Sequence, residues 1–216
     1  MFLAILPHLS TVAAQTNAQT NNSPVNLAAR FKRLRRGINL SHWFSQAANY
    51  SKSHLETHTT AQDIALIKSM GFDHVRFPIE PAPLLNNPPD PAILDTTYLG
   101  YIDTALDMIL ATGLDVIIDI HPSDDFKLRM ARDERSIEAF GKFWRAFATH
   151  LSKRDPELVF LEVINEPMVE DPYRWYGIQG KLIAARLDYG GGFAVVNKVN
   201  GQAQRDPAVV KALGLQ

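Results

Sequence analysis

Glu166 sits between Asn165 and Pro167, at the end of the apolar run 158–164, LVFLEVI. A carboxyl group in that place can serve as a general acid if apolar or anionic surroundings keep it protonated near neutral pH. Asn165 can donate a hydrogen bond to a neighbouring hydroxyl. Two more polar residues mark other apolar runs: Arg76 within 74–77, HVRF, and His121 directly after 116–120, VIIDI. Asn39, with His42 and Trp43 just beyond it, marks the first run. Cleaving a glycosidic bond is one chemistry that fits such a set. It ordinarily takes two carboxyl groups, one to protonate the leaving oxygen and one on the other face of the sugar, about 5–5.5 Å away in retaining enzymes.

Each residue also has a plainer reading. Arg76 can be an ion pair in the floor of a barrel, and His121 a hydrogen-bonded core histidine. Glu166 can be a surface carboxylate leading into a helix, where acids are favoured. Trp43 suits stacking on a sugar or simple packing. Asp119 and His121 share one strand face, but no further His or acid completes a metal-ligand set at a convincing spacing. The chain has no cysteine, which excludes disulfides, thiolate catalysis and Cys-ligated zinc. It has no Gly-x-Ser-x-Gly for a serine esterase, and Gly190-Gly191-Gly192 reads as a turn.

The elements that must position these groups alternate. Strands are expected at 37–40, read as buried, and at 74–77, 116–120 and 158–164, the second ended by Pro78. Thr60 should cap a helix over 61–70, with Ile64, Leu66, Ile67 and Met70 inward and Gly71 stopping it. The run 98–111 has Ile102, Ala105, Leu106, Ile109 and Leu110 at helical spacing, closed by Gly113. Ser136 should cap a helix carrying Ile137, Phe140, Phe143, Trp144, Phe147 and Leu151. Pro172 can start another with Trp175, Ile178, Leu182 and Ile183. Near-continuously apolar strands followed by helices predict an α/β fold with a parallel sheet. In a (β/α)₈ barrel, functional residues gather where strands end, which is where these polar groups stand. Eight units at this spacing need roughly 300 residues, against a typical barrel of about 250, so 216 residues predict an incomplete barrel.

Four segments in order, RGINL at 36–40, GFDHVRFP at 71–78, DIH at 119–121 and LEVINEP at 161–167, resemble glycoside hydrolase family 5, the cellulase family. The resemblance covers about 34–185. It implies a retaining hydrolase of β-linked glucan or mannan that needs no cofactor. Glu166 would be the acid/base and Asn165 the contact to the sugar 2-hydroxyl. Arg76 would support the nucleophile, and His121 would bind sugar or orient a carboxylate. From Leu187 the segment LDYGGGFAVV resembles the far end of the family, and Leu187 stands where a sugar-stacking Trp is expected. The closing helix would lie over 206–215, capped by Asp206 with Pro207 in its first turn. The expectation is therefore the first half of a barrel over 30–186, joined to a remnant of its last strand and closing helix over 187–216. The stretch holding the nucleophile would be missing, so this chain should lack activity. A carbohydrate-binding barrel fragment without catalysis is the alternative.

The remaining residues fix the setting. Residues 1–14 form a short apolar stretch ending in small residues, read as a signal peptide without its basic start, and 15–29 as a polar linker. Secretion, or a periplasmic location, is expected. The stretch is too short to span a bilayer. A net charge of −1 gives no capture of nucleic acid or of a membrane surface. The basic run Lys32, Arg33, Arg35 and Arg36 reads as a solvated approach to the first strand. An incomplete barrel leaves strand edges that invite self-association, with residues 193–196 available to patch one.

Overall fold

The computed structural model describes residues 32–85, 90–187, 196–199 and 202–205. Four strands form one parallel sheet in chain order: β1 Gly37–Asn39, β2 His74–Ile79, β3 Asp115–Ile120 and β4 Val159–Glu162. Helices separate them. α1 Lys52–Thr57 and α2 Ala61–Ser69 precede β2, and α3 Thr96–Leu110 precedes β3. α4 Asp124–Arg132 and α5 Glu134–Leu151 precede β4, and α6 Pro172–Leu187 follows it.

The two-residue period of a strand divides the sheet into two chemically different faces. Val75, Phe77 and Ile79 of β2, Val116, Ile118 and Ile120 of β3, and Val159 of β4 are fully buried on the helix side. There they join Ile102, Leu106 and Ile109 of α3 and Phe140, Phe143, Trp144 and Phe147 of α5 in one core. The other face carries Asn39, Arg76, Asp119 and Glu162, brought level by the pairings Asn39↔Arg76 and Asp119↔Glu162. A Cβ at Gly37 would overlap the ring of its register partner His74, so a side chain there would force that ring to move.

Several expectations need correcting. The first strand is exposed along its length, because β1 has β2 on one side and stands at the end of the strand order. Pro78 does not end β2 but lies inside it, paired with Asp119. Its missing N–H would point to the β1 side, in the gap between Leu40 N–H donating to Arg76 O and Glu80 N–H donating to Phe44 O. In α2 only Ile64 is buried, while Leu66 and Met70 are 59% and 64% exposed. The Thr60 cap is present, with Asp63 completing a capping box. Asp133, not Ser136, caps α5, and Ser136 donates its hydroxyl to the Asp133 carboxylate. α4 was not anticipated. Ser123 caps it and Asp124 and Asp125 begin it, but its polar sequence carries little apolar periodicity.

The basic run is tied to acids. Asp73 accepts from the backbone N–H groups of Arg35 and Arg36, and Arg33 bridges Asp115 and Glu157. Beyond β4, Leu187 is the last residue of α6, not part of a strand. β5 Val196–Val199 and β6 Gln202–Arg205 pair antiparallel. The expected signal peptide, the linker, the closing helix and residues 193–195 lie outside the described residues. No described helix is long and apolar enough to cross a membrane.

Candidate active site

Four parallel strands deliver their polar residues to one place. Arg76, third in β2, is flanked by Asn39 of β1 on one side and Glu162 of β4 on the other. Its Nε and Nη2 each donate to one Glu162 oxygen at 2.8 Å, a bidentate pair. Nη1 donates to Asn39 Oδ1 at 3.2 Å, and Nη2 also donates to Asn165 Oδ1 at 3.0 Å. Asp119 Oδ2 lies 2.8 Å from Nη2 as an ion pair. The hydrogen bond to Glu162 raises the pKa of the guanidinium above its ordinary value, against the opposing effect of burial. Asp119 and Glu166 add to the rise. Arg76 is thus a fixed cation among carboxylates.

His121 follows β3 and continues the ladder, its N–H donating to Ile79 O at 2.8 Å. Its Nδ1 is 2.9 Å from Asp119 Oδ2, and its Nε2 is 3.3 Å from Asn165 Nδ2. Asp119 is fully buried, and its Oδ1 has no hydrogen-bond partner among the described residues. Burial pushes its carboxyl pKa up and Glu162 adds to this, outweighing the opposing pull of His121 and Arg76. Asn165 is anchored through its own N–H to Ile120 O at 2.8 Å. The chain then turns sharply: Glu166 has φ +43°, in the left-handed region that few non-glycine residues enter. Glu166 is exposed, and its charge is near enough to Arg76 to act on it.

Arg76, His121 and Asn165 therefore form one hydrogen-bonded network, with Glu166 adjoining it in sequence. Trp43 does not join them. It is 2% exposed, donates its indole N–H to Leu55 O at 2.8 Å and packs edge-on against Phe44. It is a packing residue, corrected from sugar stacking: the turn after β1 folds it under α1. Two site residues were underread in the sequence, Glu162 and Asp119. The signal was a charge inside an apolar strand, which burial tolerates only when it is paired. Glu80 lies close by. Burial raises its carboxyl pKa, against the Ala82 N–H, to which it bonds, and the nearby charges of His121 and Lys127. No three His, Cys, Asp or Glu side chains among the described residues are grouped to hold a metal.

The profile of cellulase (glycosyl hydrolase family 5) matches residues 34–215. The chain belongs to glycosyl hydrolase family 5. Endoglucanase C of Acetivibrio thermocellus is 31% identical over 155 residues, which are 69% of this chain and 45% of that protein. Cellodextrinase A of Ruminococcus flavefaciens is 31% identical over 138 residues, covering 61% and 40% respectively. The chain thus spans less than half the length of these curated relatives. Thermotoga maritima Cel5A, in a structure with cellobiose, superimposes with a TM-score of 0.65 at 24% identity, over 80% of this chain and 53% of the other. A further structure of that enzyme holds mannotriose and gives the same score. The likeness shows the fold: the four-stranded parallel sheet with its helices is part of a (β/α)₈ barrel, which this chain leaves incomplete.

Proposed function

We propose that this family 5 chain carries the acid/base half of a retaining endo-β-glycanase site and, by itself, binds β-linked gluco- or manno-oligosaccharide without hydrolysing it appreciably. The observation that carries the reading is the Arg76–Asn165–His121 network at the end of β4, directly before Glu166. It holds an amide and a carboxyl group side by side, as delivery of a proton to a glycosidic oxygen beside a 2-hydroxyl requires. Relatives that are endoglucanases, and neighbours solved with cellobiose and mannotriose, support the substrate class.

We expect weak hydrolysis because, among the described residues around Arg76, Glu162 and Asp119 are committed to its guanidinium and Glu80 accepts from the backbone N–H of Ala82. General acid catalysis alone supplies about 10²–10⁴-fold, far short of enzymatic glycoside cleavage. The chain and its Glu166→Gln variant, assayed on an activated aryl β-cellobioside, should show equally low turnover. Substantial turnover abolished by Glu166→Gln would overturn the inactivity and keep Glu166 as the acid. We also propose export, on the apolar stretch 1–14 that ends in small residues; N-terminal sequencing of secreted protein should begin near Gln15.

A further inference from the structure

We propose that Asp119 is a positioning residue, which through His121 fixes the orientation of the Asn165 amide that meets the substrate. The inference rests on the sugar-binding role given above to Asn165, and it adds how that residue is held.

The hydrogen-bond chemistry of the network permits one arrangement. An ionised carboxylate only accepts, so the 2.9 Å contact between Asp119 Oδ2 and His121 Nδ1 requires the hydrogen on Nδ1. In the neutral ring, Nε2 is then an acceptor. The Asn165 atom 3.3 Å from it must therefore be the NH₂ group. From the opposite side, a guanidinium only donates, so the Asn165 atom 3.0 Å from Arg76 Nη2 must be the oxygen. Two independent neighbours give the same amide orientation. One amide hydrogen goes to His121 and the other is left for a hydroxyl of the ligand. If His121 instead carried its hydrogen on Nε2, that N–H would face the Asn165 NH₂. Flipping the amide would then set NH₂ against Arg76. Neither orientation would satisfy both neighbours, so the tautomer of His121 decides whether Asn165 is fixed or loose.

Asp119 is well suited to hold that tautomer. It is fully buried, its Oδ2 is pinned by Arg76 Nη2 at 2.8 Å, and its strand is paired on both sides. His121 is fixed at its backbone by Ile79, and its side chain is only 13% exposed.

Long-range ¹H–¹⁵N correlation spectra of the ligand-free full chain report which His121 nitrogen is protonated. The wild-type protein should show the Nδ1–H tautomer of the neutral ring. Asp119→Ala should move His121 toward Nε2–H and weaken cellotetraose binding about tenfold, the loss of roughly one hydrogen bond. Asp119→Asn, nearly isosteric, guards against a variant that fails to fold and should shift the tautomer the same way if its amide NH₂ faces Nδ1. A wild-type Nε2–H tautomer, or an unchanged His121 spectrum in both variants, would overturn the proposal. A predicted tautomer shift in a protein that binds no oligosaccharide would instead overturn the role of Asn165 in sugar binding and leave the positioning by Asp119 standing.

Discussion

Glu166 is held at φ +43° between an anchored asparagine and a proline. A left-handed conformation costs a non-glycine residue about 1–2 kcal/mol, while glycine gives back about 0.5–1 kcal/mol through the entropy of its unfolded chain. Glu166→Gly should therefore melt above Glu166→Ala, by about 0.5 kcal/mol in thermal denaturation, although glycine is the less stabilising residue at ordinary positions. Equal melting, or alanine ahead, would remove the strain from the account. Such strain is commonly retained where a catalytic group must point away from its strand. The sequence marked Glu166 and its two flanking residues plainly, since Asn-Glu-Pro after an apolar run is a local pattern. It did not show Glu162 as the partner of Arg76. That contact joins residues 86 positions apart and depends on the register of β2, β3 and β4.

At the scale of elements, the helices were read well where both sides of the pattern agreed and poorly where only one did. Residues Ile102, Leu106 and Ile109 of α3 are all buried as their spacing requires. Leu66 of α2 and Met70, which caps its end, are exposed, because this short helix buries only the face that includes Ile64. Ile64→Ala should cost about 2–4 kcal/mol in denaturant unfolding, whereas Leu66→Ala should stay within about 0.5 kcal/mol. Comparable losses would mean that α2 packs in another rotation. A different tie joins α3 to α5: Asp103 takes His150 Nε2 at 2.9 Å and Arg154 Nη2 at 2.7 Å. Burial alone would raise the Asp103 pKa, but hydrogen bonds from Arg154 and His150 outweigh it and hold it below the usual range. A carboxyl group whose pKa is lowered on folding contributes stability above its unfolded pKa and loses it as pH falls through the folded one. Asp103→Asn should therefore be less stable than the parent at pH 7, and the gap should close as pH drops below the ordinary carboxylate range of about 4. A gap independent of pH in acid titrations of stability would assign the loss to packing instead.

On the scale of the molecule, the incomplete barrel explains which parts of the sequence reading needed revision. A strand that would be enclosed in a closed barrel is exposed here as β1, with Gly37, Ile38 and Asn39 all accessible. Repeating strand and helix patterns carry the architecture of each unit, but exposure depends on neighbours that lie elsewhere in a complete barrel. An exposed strand edge favours pairing with another chain, so size-exclusion chromatography should show species larger than a monomer at micromolar concentration. A sharp monomer peak with cooperative melting would contradict that. The central claim is that the rim formed by Arg76, His121, Asn165 and Glu166 is a binding site for β-linked sugar. Calorimetric titration of the purified chain with cellotetraose, repeated with Asn165→Ala, tests it most directly. Saturable binding weakened about tenfold or more by the substitution is the predicted result; no binding to the parent chain, or equal binding by both proteins, would contradict it.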